Sequence, residues 1–208
     1  MTEKDKILNY VRNRFTAEGF YKISMDEIAS ELHISKKTIY KYFTSKESLI
    51  IKTVRDDMEI ITAAINNIIN SKSNVIKKFV DIMEFYLPSV SKHSNKWMRD
   101  IQVHLPDLWD EIDKFKIKKI DSILTKLINE GKKEKLIVNY PPEIIINSYI
   151  NTTREICNQE FLNQHNLSFK DALQSSFAML INGILTEKGR MQYKKMANSK
   201  SFVKKLIT

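Results

Sequence analysis

Apolar residues recur three and four positions apart along almost the whole chain, and nowhere do apolar and polar residues alternate strictly over six or more positions. That period belongs to helices rather than strands, so the pattern predicts an all-α protein. Ile7, Leu8, Val11 and Phe15 form one face of a first helix from about Glu3 to Ala17, and Gly19 stands just past its end, where a left-handed residue is favoured. Ser24 and Glu27 read as a capping box opening a short second helix that buries Ile28, Ala29 and Leu32. His33 then makes the turn, and Ser35 caps a third helix over Lys36 to Phe43. Thr44 with Glu47 reads as another capping box, opening a long fourth helix to about Asn70.

Beyond the loop SKSN at 71–74, the spacing predicts a fifth helix to about Leu87 and a short sixth between the interruptions of Pro88 and Pro106. A long seventh helix runs from Asp107 to about Glu130, with Gly131 as its stop. Pro141 and Pro142 set up an eighth to about Asn163, and Ser168 with Asp171 opens a ninth to about Thr186. The last two helices each carry two adjacent apolar stripes. Ile145, Tyr149, Thr152 and Ile156 line one side of the eighth, and Ala172, Ser176, Met179 and Gly183 line one side of the ninth beside Leu173, Phe177, Leu180 and Ile184. A helix with two such stripes meets two surfaces, which predicts a two-fold, four-helix dimer interface.

Composition narrows the class. The chain has 208 residues, 42% hydrophobic and 28% charged, with four Gly and four Pro, which excludes disordered and collagenous proteins. A lone cysteine, Cys157, excludes disulfide scaffolds and thiolate zinc clusters. No apolar run reaches the roughly 18 residues of a membrane span, and the start MTEKDKILNY lacks signal-peptide character, so the expected location is the cytoplasm. The formal charge is +9, but it is unevenly placed: residues 1–47 carry nine basic against seven acidic side chains, 48–186 eighteen against seventeen, and 187–208 seven against one. The window from His33 to Lys46 adds four Lys and no acid. Those two segments are the candidates for an anionic partner.

Residues Ser24 to Phe43 have the layout of a helix-turn-helix, with Ile28, Leu32, Ile34 and Ile39 where two short crossing helices share a core and Ala29 where they pass closest. Lys36, Lys37, Thr38, Tyr40, Lys41 and Tyr42 occupy the other side of the second of these helices without a carboxylate among them, a mixture suited to phosphates and base edges. The stretch GFYKISMDEIASELHISKKTIYKYFTSKESL, residues 19–49, resembles the DNA-binding signature of the tetracycline-repressor-like (TetR) transcriptional regulators. The resemblance implies a helix-turn-helix domain over 1–46 and a helical ligand-binding and dimerisation domain over 47–208. By the same resemblance, Ser24, Tyr42 and Lys46 bind phosphates, Ser35 caps the recognition helix, and Lys36, Lys37, Thr38, Tyr40 and Lys41 reach bases or flanking backbone. Lys37 and Lys41 are the first candidates for guanine contacts. His33 stands where the family commonly has Gly, and Lys37 where many members have Gly, Ala or Pro, which bears on the operator read.

The function so implied is that of a ligand-responsive regulator, a repressor, that binds a palindromic double-stranded DNA operator as a homodimer and is released by a small hydrophobic or aromatic molecule. Phe79, Met83, Tyr86, Trp97, Met98, Trp109, Tyr149 and Phe161 are large residues on helices that would surround a cavity, with His104 and Arg154 as polar anchors. Each is equally a core-packing residue. An enzyme is the rival from another class, but the four histidines lack HExxH or di-iron spacing, and no phosphate-binding or dinucleotide glycine motif occurs. Neither a metal nor a cofactor is expected. A third reading is an interaction or membrane-surface module built on the tail, where Met191, Tyr193, Met196, Phe202, Val203, Leu206 and Ile207 interleave with basic residues; the tail can equally pack against the body.

Overall fold

The structure, a computed structural model, describes residues 2–91 and 94–197. Among them are eleven helices: α1 (Glu3–Glu18), α2 (Met25–Glu31), α3 (Lys36–Tyr42), α4 (Lys46–Ile69), α5 (Val75–Ser91), α6 (Asn95–His104), α7 (Pro106–Lys133), α8 (Pro142–Ile156), α9 (Gln159–Gln164), α10 (Phe169–Ile184) and α11 (Glu187–Ala197). The protein is all-α, and its extended contact is a single antiparallel bridge between Ile137 and Leu185.

Several boundaries differ from the sequence reading for identifiable reasons. Pro88 lies inside α5, in its last turn, where the missing N–H removes one ladder bond and not the helix. Gly131 lies inside α7: a Cβ there would meet the Ile137 side chain at 2.5 Å, so the glycine serves close approach rather than the stop. The stretch expected as one helix to Asn163 breaks at Cys157, and Asn158 caps a separate α9 by accepting from Phe161 N. The cap of α4 is Ser45, which exchanges hydrogen bonds with Ser48 at 3.1 and 3.0 Å, one residue later than the expected Thr44–Glu47 box.

Three helices stop in the same manner without glycine. After α2, His33 N–H donates to Ser30 O and Ile34 N–H to Ala29 O, with His33 at φ 53°. Lys135 (φ 59°) and Asn166 (φ 52°) repeat the arrangement after α7 and α9, with Leu136 N–H donating to Gly131 O and Leu167 N–H to Leu162 O. This is the Schellman stop, which glycine normally occupies because the left-handed region costs other residues about 1 kcal/mol. Replacing His33 or Lys135 with glycine is therefore expected to raise stability by about 0.5 kcal/mol each, the relief being partly offset by the freedom glycine gains in the unfolded chain. Chemical denaturation checks this, and a lowered midpoint for both variants would show that these side chains hold more than their turn.

The helices form two compact units. The first comprises residues 2–63 and 94–112, the second 64–91 and 113–197. The head expected over 1–46 lies within the first unit, which also takes in the early turns of α4 and all of α6 because Leu49, Ile50, Val54, Trp97 and Ile101 are buried in its core with Ile7, Val11, Phe15, Ile28 and Ile39. In the second unit α10 packs on α5 and α8, and α11 packs on α5. Its core gathers Val75, Phe79, Met83, Leu127, Ile146, Phe177 and Ile181, and the buried Lys78 is held by Glu130 at 2.5 Å. Tyr193 of the basic tail is buried in this core and Met196 packs against it, so the first half of that segment covers the body. Phe202, Val203, Leu206 and Ile207 lie outside the described residues. No helix among the described residues is long and apolar enough to cross a membrane.

Candidate nucleic-acid interface

The first unit presents a short helix whose position is fixed on three sides. Ser24 Oγ accepts from Glu27 N at 3.1 Å while Glu27 Oε2 accepts from Ser24 N at 2.8 Å, so the expected capping box starts α2. That bonding also holds the Glu27 carboxyl below its ordinary pKa. The Schellman turn at His33 redirects the chain, and Ser35 Oγ accepts from Thr38 N at 3.0 Å to start α3. Ile39, with no exposed surface, and Phe43 anchor α3 in the core. Lys36, Lys37, Tyr40 and Lys41 are consequently turned outward and exposed, and α3 contains no carboxylate.

The nine expected DNA-contact residues fall into two groups. Ser35, Lys37, Thr38, Tyr40 and Lys41 share the outer side and N-terminal end of α3, with Lys41 Nζ 5.2 Å from the Tyr42 ring centre. The others are also tied to neighbouring elements. Lys36 Nζ pairs with Asp26 on α2 at 2.8 Å, which raises the pKa of the ammonium. Tyr42 OH donates to Glu3 at 3.0 Å, joining α3 to the start of α1. Lys46 Nζ donates to Tyr21 O at 3.1 Å, and partial burial lowers its pKa against the pull of Asp100 and Glu27. Ser24 engages Glu27 through its hydroxyl and remains exposed.

Sequence reasoning missed the part played by α6. Asp100, only 6% exposed, accepts from Phe20 N at 2.8 Å and Tyr21 N at 2.9 Å through one oxygen. Gly19 (φ 76°) permits this, since a Cβ there would stand 2.5 Å from that oxygen. Trp97 packs between Phe15 and Phe20, at 6.3 and 5.5 Å between ring centres, and His104 stacks on Tyr21 at 4.0 Å with the rings 5° from parallel. The loop leading into the helix-turn-helix is thus clamped by a helix some eighty residues away. No local signal announced it, although Gly19 marked the place.

The ten residues expected around one cavity divide accordingly. Trp97, Met98, His104 and Trp109 belong to the first unit, where their packing holds the head. Phe79 and Met83 are core residues of the second unit, Tyr86, Tyr149 and Phe161 are half-buried there, and Arg154 is exposed and pairs with Asp113 at 3.0 Å. The expected dimer stripes divide as well. Ile145, Ala172 and Ser176 are buried within the single chain, where α8 meets α10, so they are unavailable to a partner. Met179, 67% exposed, and Gly183 face outward, and Tyr149, Thr152 and Ile156 are half-buried. No group of three or more potential metal ligands occurs among the described residues.

A capped cationic helix held by a tight turn on an all-α unit defines a helix-turn-helix DNA-binding protein. Residues 7–53 match the profile described as bacterial regulatory proteins, tetR family. The chain is 28% identical over 176 residues to the uncharacterized HTH-type transcriptional regulator YvaF of Bacillus subtilis, an alignment covering 84% of this chain and 92% of YvaF. It is 29% identical over 84 residues to IcaR of Staphylococcus aureus, named as a negative transcriptional regulator of the biofilm operon icaADBC, covering 40% of this chain and 43% of IcaR. A crystal structure of a TetR-family regulator from Marinobacter aquaeolei superposes with a TM-score of 0.69 at 16% identity, over 92% of this chain and 95% of that one. The chain belongs to the TetR family of transcriptional regulators, a family of DNA-binding regulators rather than enzymes.

Proposed function

We propose that the protein is a repressor that binds a palindromic operator as a homodimer and releases it when a small, largely hydrophobic molecule binds the helical unit formed by residues 64–91 and 113–197. The observation that carries the reading is the exposed side of α3, where Lys37, Tyr40 and Lys41 stand together without an acid while Ile39 fixes the helix from behind. Such a surface docks in a major groove, with cations toward guanine acceptors and phosphates. Repression is the activity named for the relative IcaR. Dimerisation is supported by apolar residues that the single chain leaves outward on neighbouring helices, Ile144 on α8 at 62% and Met179 on α10 at 67% exposure, beside Gly183, which has open space around it. Two copies joined there would present two recognition helices and read half-sites about 34 to 36 Å apart.

The experiment is selection of bound sequences from a random duplex pool at about 150 mM salt, where non-specific attraction is weak. A palindromic consensus is expected, with its half-sites lost together when the dimer is disrupted by Met179→Glu. A non-palindromic consensus from a monomer would refute the dimeric reading, and no enrichment by the folded protein would refute sequence-specific binding.

A further inference from the structure

The second unit encloses more hydrogen-bonding groups than a helical core requires. Tyr149, Thr153 and the capping Cys157 are spaced four apart and so share one face of α8. Arg154 binds Asp113 at 3.0 Å, which sets α7 beside the end of α8. Lys116, one turn beyond Asp113, is thereby brought to the Tyr149–Thr153 level, close enough for Lys116 and Cys157 to act on each other's ionisation. Tyr86 of α5 joins them, acting on Tyr149, and Cys157 acts in turn on Tyr86. Tyr86, Tyr149 and Cys157 all pack against the same apolar core.

Two observations together indicate a space rather than solid packing. Burial pushes the Tyr86 phenol up to about 12 and the Cys157 thiol up to about 11, raises the Tyr149 phenol further, and lowers the Lys116 ammonium against the pull of Asp113. Yet Tyr86, Lys116, Tyr149, Thr153 and Cys157 all keep part of their surface accessible. Groups surrounded by protein that still offer surface line an internal void. Thr153 Oγ1, moreover, is buried without a hydrogen-bond partner. Such an atom is costly unless a ligand or water completes it.

The chemistry of the group is one-sided. At neutral pH both phenols and the thiol keep their protons and Lys116 offers an ammonium, so the cluster is built of donors. The neighbouring acceptor, Asp113, is engaged by Arg154. A ligand amine would find little here, whereas an anionic acceptor would be met by several donors and a positive charge. Ile82, Ile117 and Ile120, packed against the same core, offer apolar surface in the same unit.

We propose that this cluster is the polar end of the effector site and that the effector is an organic carboxylate with an apolar body, its carboxylate paired with Lys116 and hydrogen-bonded by Tyr86 and Tyr149. The inference rests on the reading of the protein as ligand-responsive. It is tested on the full chain by calorimetric titration with straight-chain carboxylates of six to twelve carbons, their primary amides and the matching amines, against wild type, Lys116→Met and Lys116→Arg. Wild type is expected to bind at least one carboxylate at least tenfold more tightly than its amide. The preference should vanish in Lys116→Met, which keeps the volume without the charge, and persist in Lys116→Arg. Equal binding of acid and amide, a preference that survives Lys116→Met, or no carboxylate binding at all would overturn the site. Operator release, followed by fluorescence anisotropy on the same samples, separates the two levels. Carboxylate binding without release would keep the site and overturn its role as the effector site, and release by an uncharged ligand with no dependence on Lys116 would keep a ligand-responsive repressor and overturn this assignment.

Discussion

Lys37→Glu together with Lys41→Glu is expected to abolish sequence-specific DNA binding and leave folding and oligomeric state unchanged. Both side chains are exposed on α3, one turn apart, while the residues that hold that helix, Ile39 and Phe43, are buried on its other side. Replacing them removes no core contact. A good bidentate contact between a side chain and a base supplies about 1 to 3 kcal/mol of discrimination. Losing two corresponds to a fall in affinity from about 30-fold to about 10⁴-fold, and reversed charge beside phosphates adds repulsion. Anisotropy with the selected operator, at two salt concentrations, measures the loss and its electrostatic share. The informative control is Lys36→Gln. Lys36 already pairs with Asp26 at 2.8 Å, so its removal should cost far less than that of Lys37 or Lys41. If Lys36→Gln were the most damaging single change, the ion pair would be a resting arrangement that opens on DNA, and the assignment of the reading residues would have to shift along α3.

What the sequence made legible is what is encoded within a few residues. The caps at Ser24 and Ser35 stand as expected because a hydroxyl and the amide it accepts from are three positions apart. His33 takes the left-handed turn because the bonds that define it span Ala29 to Ile34. The stop assigned to Gly131 failed for the converse reason: composition marks a glycine without saying whether its freedom or its small size is used, and here the Ile137 side chain decides. The dimer stripes were half right in kind. Periodicity sees that α8 and α10 are apolar on two sides, but only packing tells that Ile145, Ala172 and Ser176 are spent against each other's helices within the chain. The candidate cavity residues were chosen by size and helix, which cannot distinguish Trp97 in the head from Phe79 in the second unit.

The largest single-residue effect on folding is expected from Asp100, the residue that no local pattern signalled. Asp100→Ala should destabilise the first unit by about 3 kcal/mol, because hydrogen bonds to a charged acceptor contribute about 1.5 to 3 kcal/mol each and the Phe20 and Tyr21 amides would both lose theirs. Asp100→Asn keeps an acceptor oxygen of the same size and should cost about 1 kcal/mol, the difference between a charged and a neutral acceptor. The measurement can be confined to this unit, since both tryptophans of the chain, Trp97 and Trp109, pack in it, and their fluorescence in a urea titration reports its unfolding. Operator affinity supplies the second readout. The clamped loop ends at Ser24, where α2 begins, and carries Tyr21, whose carbonyl holds Lys46. In folded Asp100→Ala, loosening that loop should weaken operator binding in conditions where the tryptophan signal is still native, and Asp100→Asn should retain most of the affinity. Equal stability of the alanine variant and wild type would mean that the Phe15, Phe20 and Trp97 rings hold the loop without the carboxylate. Full operator affinity in a destabilised but folded alanine variant would confine Asp100 to stability and leave the reading head independent of α6.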